Sequence, residues 1–191
     1  MGKSALILLD LQDGILDGHV KDQKADYLSL VSTSIQKARA AGLHIIHVKT
    51  SFRPGHPELS RSNLLLAPLA SHGLFVEGDA AVNISREVAP AEGDIVVTKR
   101  RVSAFSGSDL DTVLRSLGVD TLVLGGVATS GAVLSTMHQA ADMDFSLTVI
   151  SDLCLDPDPE AHRVLIDKIF PRQGLVITAR EWSGKFAGAK S

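Results

Sequence analysis

This chain of 191 residues contains one cysteine, Cys154, one tryptophan and one tyrosine. A lone cysteine excludes an intrachain disulfide and fits a reducing compartment, so the cytoplasm is the expected location. Neither sign of charge dominates: 19 Lys and Arg against 22 Asp and Glu leave a formal net charge of −3. With a pI near 6.1, that balance offers no basic footprint for nucleic acid or an anionic membrane, and neither is expected as a partner. Long apolar runs are missing as well. Ala5-Leu6-Ile7-Leu8-Leu9 is stopped by Asp10, far short of the roughly 20 residues that span a bilayer. No small-residue cleavage site follows it, as a signal peptide requires. Internal repeats and low-complexity segments are absent. A phosphate-binding loop is excluded too, since Gly125-Gly126 lacks the Lys-Ser/Thr pair and further glycines. What is present, 45% hydrophobic residues and a mean hydropathy of +0.17, reads as one globular domain over residues 1–191.

Six short apolar runs read as buried strands: Ser4 to Leu9, His44 to Lys49, Ile95 to Thr98, Leu122 to Gly125, Leu147 to Ile150 and Leu175 to Thr178. Most are continuous rather than alternating, the pattern of parallel strands covered on both faces. Amphipathic segments separate them at Tyr27 to Ala41, Asp109 to Leu117, Ala132 to Met143 and Pro159 to Phe170. Leu28, Val31, Ile35 and Ala38 fall at helical spacing, and Gly42 and Gly118 stand where helices close. Strand and helix in alternation predict an α/β fold, a three-layer α/β/α sandwich around a doubly wound six-stranded parallel sheet. Ser51 to Gly93 is too long for a simple connection and is expected to hold short helices over the sheet's carboxyl edge. The tail from Gly184 to Ser191 is small and polar and is expected to fray.

Ligands of open α/β sheets bind beyond the carboxyl ends of the strands. Asp10 ends the first strand, Lys99 the third, and the turn Gly125-Gly126-Val127-Ala128-Thr129-Ser130-Gly131-Ala132 the fourth. Convergence of the three predicts that strands one, three and four are neighbours, with the second beyond the first. A carboxylate and an ammonium at an apolar edge can exchange a proton and hold each other's charge. Singly, Asp10 also reads as a turn residue, and Lys99 as a solvated cation in Lys99-Arg100-Arg101. The turn has the strand–turn–helix pattern of a nucleophile elbow. At its key position stands Ala132, a methyl group with nothing to attack with.

Taken together, Leu8-Leu9-Asp10-Leu11-Gln12, Thr98-Lys99-Arg100-Arg101-Val102-Ser103-Ala104-Phe105 and Gly126-Val127-Ala128-Thr129-Ser130-Gly131-Ala132-Val133 occur in an order and spacing that resemble the isochorismatase-like hydrolases. This is the cysteine hydrolase superfamily of nicotinamidases, N-carbamoylsarcosine amidases and isochorismatases. The resemblance covers nearly the whole chain, including Ser151-Asp152-Leu153-Cys154 and the Asp156 to His162 stretch. It implies Asp10 as acid/base, Lys99 as its electrostatic partner and position 132 as the nucleophile's place. It also implies an oxyanion hole from the backbone N–H groups of Ala128 and Ala132, and a cis peptide at Val127-Ala128. A homodimer or homotetramer acting on a small-molecule substrate, without cofactor, is expected on the same ground.

Gln12 and Leu16 follow Asp10 and are candidates for the pocket wall, with loop packing as the alternative. Arg53 is placed to clamp a substrate carboxylate, and His56 to face the cavity; solvated turn residues are the competing reading for both. Phe105 stands where the family places a pocket aromatic, and Val127 and Thr129 flank the turn as further substrate-binding candidates. The nicotinamidase Asp-x-His…His pattern is missing among His44, His47, His56 and His72, so no metal is expected. His162 reads as structural, and Cys154 as a packing cysteine after the fifth strand. Three functional readings stay open. The first is a hydrolase that works without a cysteine, as isochorismatases do on a vinyl ether with an aspartate as general acid. The second is an amidohydrolase whose cysteine position holds alanine, and the third a binding protein without turnover.

Overall fold

The computed structural model describes residues 3–19 and 23–187. Six strands form one parallel sheet: β1 (Lys3–Leu9), β2 (His44–Thr50), β3 (Ile95–Lys99), β4 (Val119–Val127), β5 (Ser146–Leu155) and β6 (Leu175–Ile177). Their order is β3-β2-β1-β4-β5-β6, the doubly wound arrangement whose direction of winding reverses between β1 and β4. This corrects the expected neighbourhood of strands one, three and four. β2 lies between β1 and β3, and Lys99 reaches the first strand's end only because its side chain is long enough to cross the intervening strand.

Each strand divides its side chains between two apolar layers. Ala5, Ile7 and Leu9 of β1, with Leu122 and Leu124 of β4, pack on α4 (Leu110–Leu117) and α5 (Leu134–Asp142). Leu6 and Leu8, with Val123, pack on Leu28, Val31, Ile35 and Ala38 of α2 (Lys24–Ala40). Leu114 and Met137 are fully buried, and side chains of that size each contribute roughly 1.5–3 kcal/mol relative to exposure. α1 (Asp13–His19) adds Leu16 to the second layer, and α6 (Pro159–Val164) runs on through a wide turn that gives Leu165 to the first. Gly42 (φ 79°) and Gly118 (φ 67°) close α2 and α4 in the left-handed region.

Several boundaries differ from expectation. α5 starts at Leu134 rather than Ala132, because Thr129–Val133 forms a wider π turn. β5 extends to Leu155, so Cys154 lies inside the strand, paired with Gly126. Between Leu124 and Gly126 the pairing advances five residues on β5, from Val149 to Cys154, and the surplus bulges outward. The tail does not begin at Gly184: α7 (Ala179–Ala187) carries through it, while residues 188–191 lie outside the described residues. Trp182 drives this, being buried and stacked edge-on against Phe186 at 4.9 Å. The long segment after β2 does hold a short helix, α3 (Ala67–Ser71), and two 3₁₀ turns. It is stitched to the sheet's carboxyl edge by bridges Phe52↔Val76 and Gln12↔Ile84. Among the described residues no helix is long and apolar enough to cross a membrane.

His47 sits in β2 at 1% exposure, with its Nε2 3.5 Å from an Asp94 carboxylate oxygen that already accepts from Arg39 at 2.7 Å. Burial holds the ring below its ordinary pKa, against the opposing pull of Asp94. The folded chain therefore resists a proton that the unfolded chain accepts, and stability is lost as pH falls below about 6.5. Melting temperatures between pH 7.5 and 5 are expected to decline more steeply for the unaltered protein than for His47→Leu.

Candidate active site

Asp10 is the first residue beyond β1 and holds a left-handed conformation, φ 57°. Its N–H donates to Val48 O at 2.8 Å, which turns the side chain along the sheet edge. There Lys99 Nζ lies 2.8 Å from Asp10 Oδ2, with side-chain exposures of 3% and 6%. Thr50, at the end of β2 between them, completes the cluster. Its hydroxyl donates to Asp10 Oδ1 at 3.0 Å and accepts from Lys99 Nζ at 2.7 Å. The third ammonium hydrogen is directed to Arg101 O at 3.1 Å. A buried lysine with all three donors occupied, facing a carboxylate with both oxygens engaged, is a fully paired charge at the switch point.

Gln12 stiffens this cluster rather than facing a cavity. Fully buried, it accepts from Thr50 N–H at 2.7 Å and donates to Thr50 O at 2.8 Å and Val82 O at 3.0 Å. One side chain thus replaces a missing strand for Thr50 and ties the cover segment down. Thr50 escapes a reading of the sequence that ends the second strand at Lys49. The available signal is its position, the same strand-end slot as Asp10 and Lys99; with Lys99 it is in register.

On the next strand, the elbow is built by close backbone approach. A Cβ at Gly126 (φ 145°) would lie 2.2 Å from Leu9 O, and one at Gly125 would lie 2.8 Å from the Leu153 Cβ. Only glycine lets β4 run this close to β1 and to the bulge. The Val127-Ala128 peptide is cis. The N–H groups of Gly131 and Val133 are committed to Ala128 O at 3.1 and 3.2 Å, and that of Ser130 to Asp156 Oδ2 at 2.6 Å. None of these three is available as a donor to a ligand. Ala132 is 4% exposed and shares its apolar cluster with Leu9, Phe105 and Val133.

The remaining candidates are dispersed. Leu16 and Val127 are buried in the layer that holds α2, and Phe105 in the opposite one, 5.9 Å from the Phe145 ring. Thr129 is fully buried, its hydroxyl 2.8 Å from His162 Nδ1. His56 anchors the cover: its Nε2 meets Leu74 O at 2.7 Å and its ring lies 5.5 Å from Phe52. Arg53 pairs with Glu58 at 2.6 Å on the wall of an open cleft of about 800 Å³. Arg100, Arg101, Ser103, Ser106 and Ser135 share that wall. Arg100 ties two points of the cover together, pairing with Glu58 at 3.3 Å and Glu77 at 2.5 Å. Asp10, Lys99 and Ala132 are not on the cleft surface, but Lys99 touches it through Arg101 O. Among the described residues no group of three or more His, Cys, Asp or Glu side chains is placed to hold a metal ion.

Comparison with known proteins places this architecture. The model of the isochorismatase domain matches residues 4–181. YwoC of Bacillus subtilis (strain 168), an isochorismatase family protein, is 32% identical over 180 residues, spanning 94% of this chain and 92% of its own. A cysteine hydrolase from Pseudomonas syringae pv. phaseolicola 1448A shares the fold with a TM-score of 0.88 at 24% identity, over 98% of this chain and 93% of the other. An N-carbamoylsarcosine amidase from Thermoplasma acidophilum superposes with a TM-score of 0.75 at 25% identity, over 93% and 96%.

Two outcomes are expected from this geometry. Gln12→Leu leaves Thr50 N–H, Thr50 O and Val82 O without partners, so urea unfolding should show a loss of roughly 2–4 kcal/mol, within the cost of stranding buried polar groups. Cys154 is 1% exposed, and burial pushes its thiol up to about 12. It should resist Ellman's reagent in the folded protein at pH 8 and react in 6 M guanidinium.

Proposed function

The chain belongs to the isochorismatase family, and from that premise we propose that it is a hydrolase of a small vinyl ether that forms no covalent enzyme intermediate. As substrate displaces water, Asp10 takes up a proton in place of its ion pair with Lys99 and gives it to the terminal vinyl carbon; water adds to the adjacent oxygen-bearing carbon, and the resulting hemiketal expels the alcohol. A ketone and an alcohol are the products, and the water proton returns to Asp10. Lys99 offsets the carboxylate charge left behind, and Thr50 and Gln12 keep the pair in register. The backbone N–H groups of Ala128 and Ala132 hold an electron-rich substrate oxygen. Arg53, beside Arg100 and Arg101 on the cleft, meets a negative group of the substrate, and Phe105, in the same apolar cluster as Ala132, backs the site, while Leu16 and Val127 support the sheet edge from its other face.

One observation carries this reading. The acid/base pair is complete and buried, while the elbow position presents a methyl group. Chemistry routed through Asp10 needs no side-chain nucleophile at position 132; acyl transfer does.

A second reading is supported by the likeness to the N-carbamoylsarcosine amidase and by the turn Thr129-Ser130-Gly131, which resembles that of the family's amidases. In it the chain is an amidohydrolase scaffold whose nucleophile position holds alanine. The two separate on one substrate panel. Under the vinyl ether reading, Asp10→Asn lowers kcat by roughly 10²-fold or more, the range for a positioned acid or base, and Ala132→Cys is not required. Under the second, the unaltered chain turns over nothing, and Ala132→Cys creates amidase activity that depends on Asp10 and Lys99. Inactivity of every variant on both classes overturns both readings in favour of a binding protein.

A further inference from the structure

The connection from β5 into α6 packs against the back of the elbow, and it grips two successive elbow residues. Thr129 is fully buried, and its hydroxyl lies 2.8 Å from His162 Nδ1. Ser130 N–H donates to Asp156 Oδ2 at 2.6 Å. Asp156 Oδ1 in turn accepts from Asp158 N–H at 3.1 Å, and Asp158 caps α6 through the N–H groups of Glu160 and Ala161. The brace therefore ends on a helix terminus that is itself capped.

His162 is half-buried, and burial holds its ring below the ordinary pKa while Asp156 and Asp167 pull the other way. Asp156 faces it from the β5–α6 connection and Asp167 from the wide turn after α6; the elbow side chains from Thr129 to Val133 carry no ionisable group. At neutral pH the ring is uncharged and has one nitrogen free to accept. The Thr129 hydroxyl has one hydrogen to give, and Nδ1 is within reach of it.

We propose that His162 is a positioning residue for the elbow: its Nδ1 accepts the Thr129 hydroxyl hydrogen and thereby fixes the backbone from Ala128 to Ala132 that meets the substrate oxygen. Ring protonation turns Nδ1 into a donor, obliges the hydroxyl to accept, and sends its hydrogen to another acceptor, so the brace is reversed and the turn reset on the acid side. Asp156, itself held by Asp158 N–H, grips the same turn by its main chain, while His162 holds it by a side chain.

The proposal rests on the elbow being the substrate-facing turn, so its test reads elbow geometry without turnover. Ala132→Cys supplies a reporter thiol, whose alkylation by iodoacetamide is followed from pH 5.5 to 8.5 in three backgrounds: unaltered His162, His162→Asn and His162→Leu. Asparagine keeps an acceptor near the Nδ1 position and cannot titrate. The reporter rate in the His162→Leu background is expected to differ from that with His162 by roughly tenfold at pH 7.5, the order of effect of one lost hydrogen bond. His162→Asn should restore that rate and remove an inflection below pH 6.5 that the His162 background shows beyond the thiol's own ionisation. Long-range ¹⁵N spectra of the unaltered protein should show the Nε2–H tautomer at pH 7. Should His162→Leu fail to fold, Thr129→Val is measured instead and should give the same reporter change. Superimposable profiles in all backgrounds, or an Nδ1–H tautomer, overturn the proposal. Loss of vinyl ether or amide activity alone does not touch it.

Discussion

A buried ion pair at a sheet edge is the constraint around which the rest of this structure is arranged. Taking a carboxylate and an ammonium out of water is costly, and the pair is tolerable only when every remaining hydrogen-bonding position is filled. Asp10 and Lys99 come from strands that are not adjacent, so a third group must stand between them. Thr50 does so, and Gln12 holds Thr50 by both main-chain groups. The same glutamine reaches Val82 and so fastens the cover segment that keeps water off the pair. Charge burial, loop closure and strand register are one problem here, with one local solution.

The second constraint is steric. At the switch point β4 runs so close to β1 that Gly126 has no room for a side chain, and the β5 bulge closes on Gly125. Tyr27 of α2 donates its hydroxyl to Leu153 O at 2.9 Å and so ties the bulge to the outer layer. A backbone held this firmly on both sides presents the turn after β4 in one shape. Ala132 then sits in a turn of the kind that presents nucleophiles, contributing volume and a backbone N–H and nothing else. The proposed chemistry is therefore centred on Asp10 and on proton transfer to carbon, which asks for no side chain at position 132.

The layers, the six strands and the caps at Gly42 and Gly118 were legible in the sequence, because each rests on a local pattern of apolar spacing or a required backbone conformation. Strand order was not. Three strand-end residues converging on one place do not say whether a long side chain spans a gap, and Lys99 does span one. α7 was missed because its small polar residues hide a single buried tryptophan, and Cys154 was placed outside β5 because a bulge has no composition of its own. Within the site, Asp10 and Lys99 announced themselves as charges ending apolar runs. Thr50 and His162 did not, since their roles exist only through partners 40 and 33 residues away.

Protonation of carbon leaves a mark that no acyl transfer can imitate. Hydrolysis of an enolpyruvyl ether by the unaltered chain in D₂O, analysed by mass spectrometry before solvent exchange, should give a product methyl group carrying one deuterium, and the signal should be lost with Asp10→Asn. Product without deuterium in that methyl group, or turnover that survives in Asp10→Asn, would contradict an Asp10-centred hydrolysis.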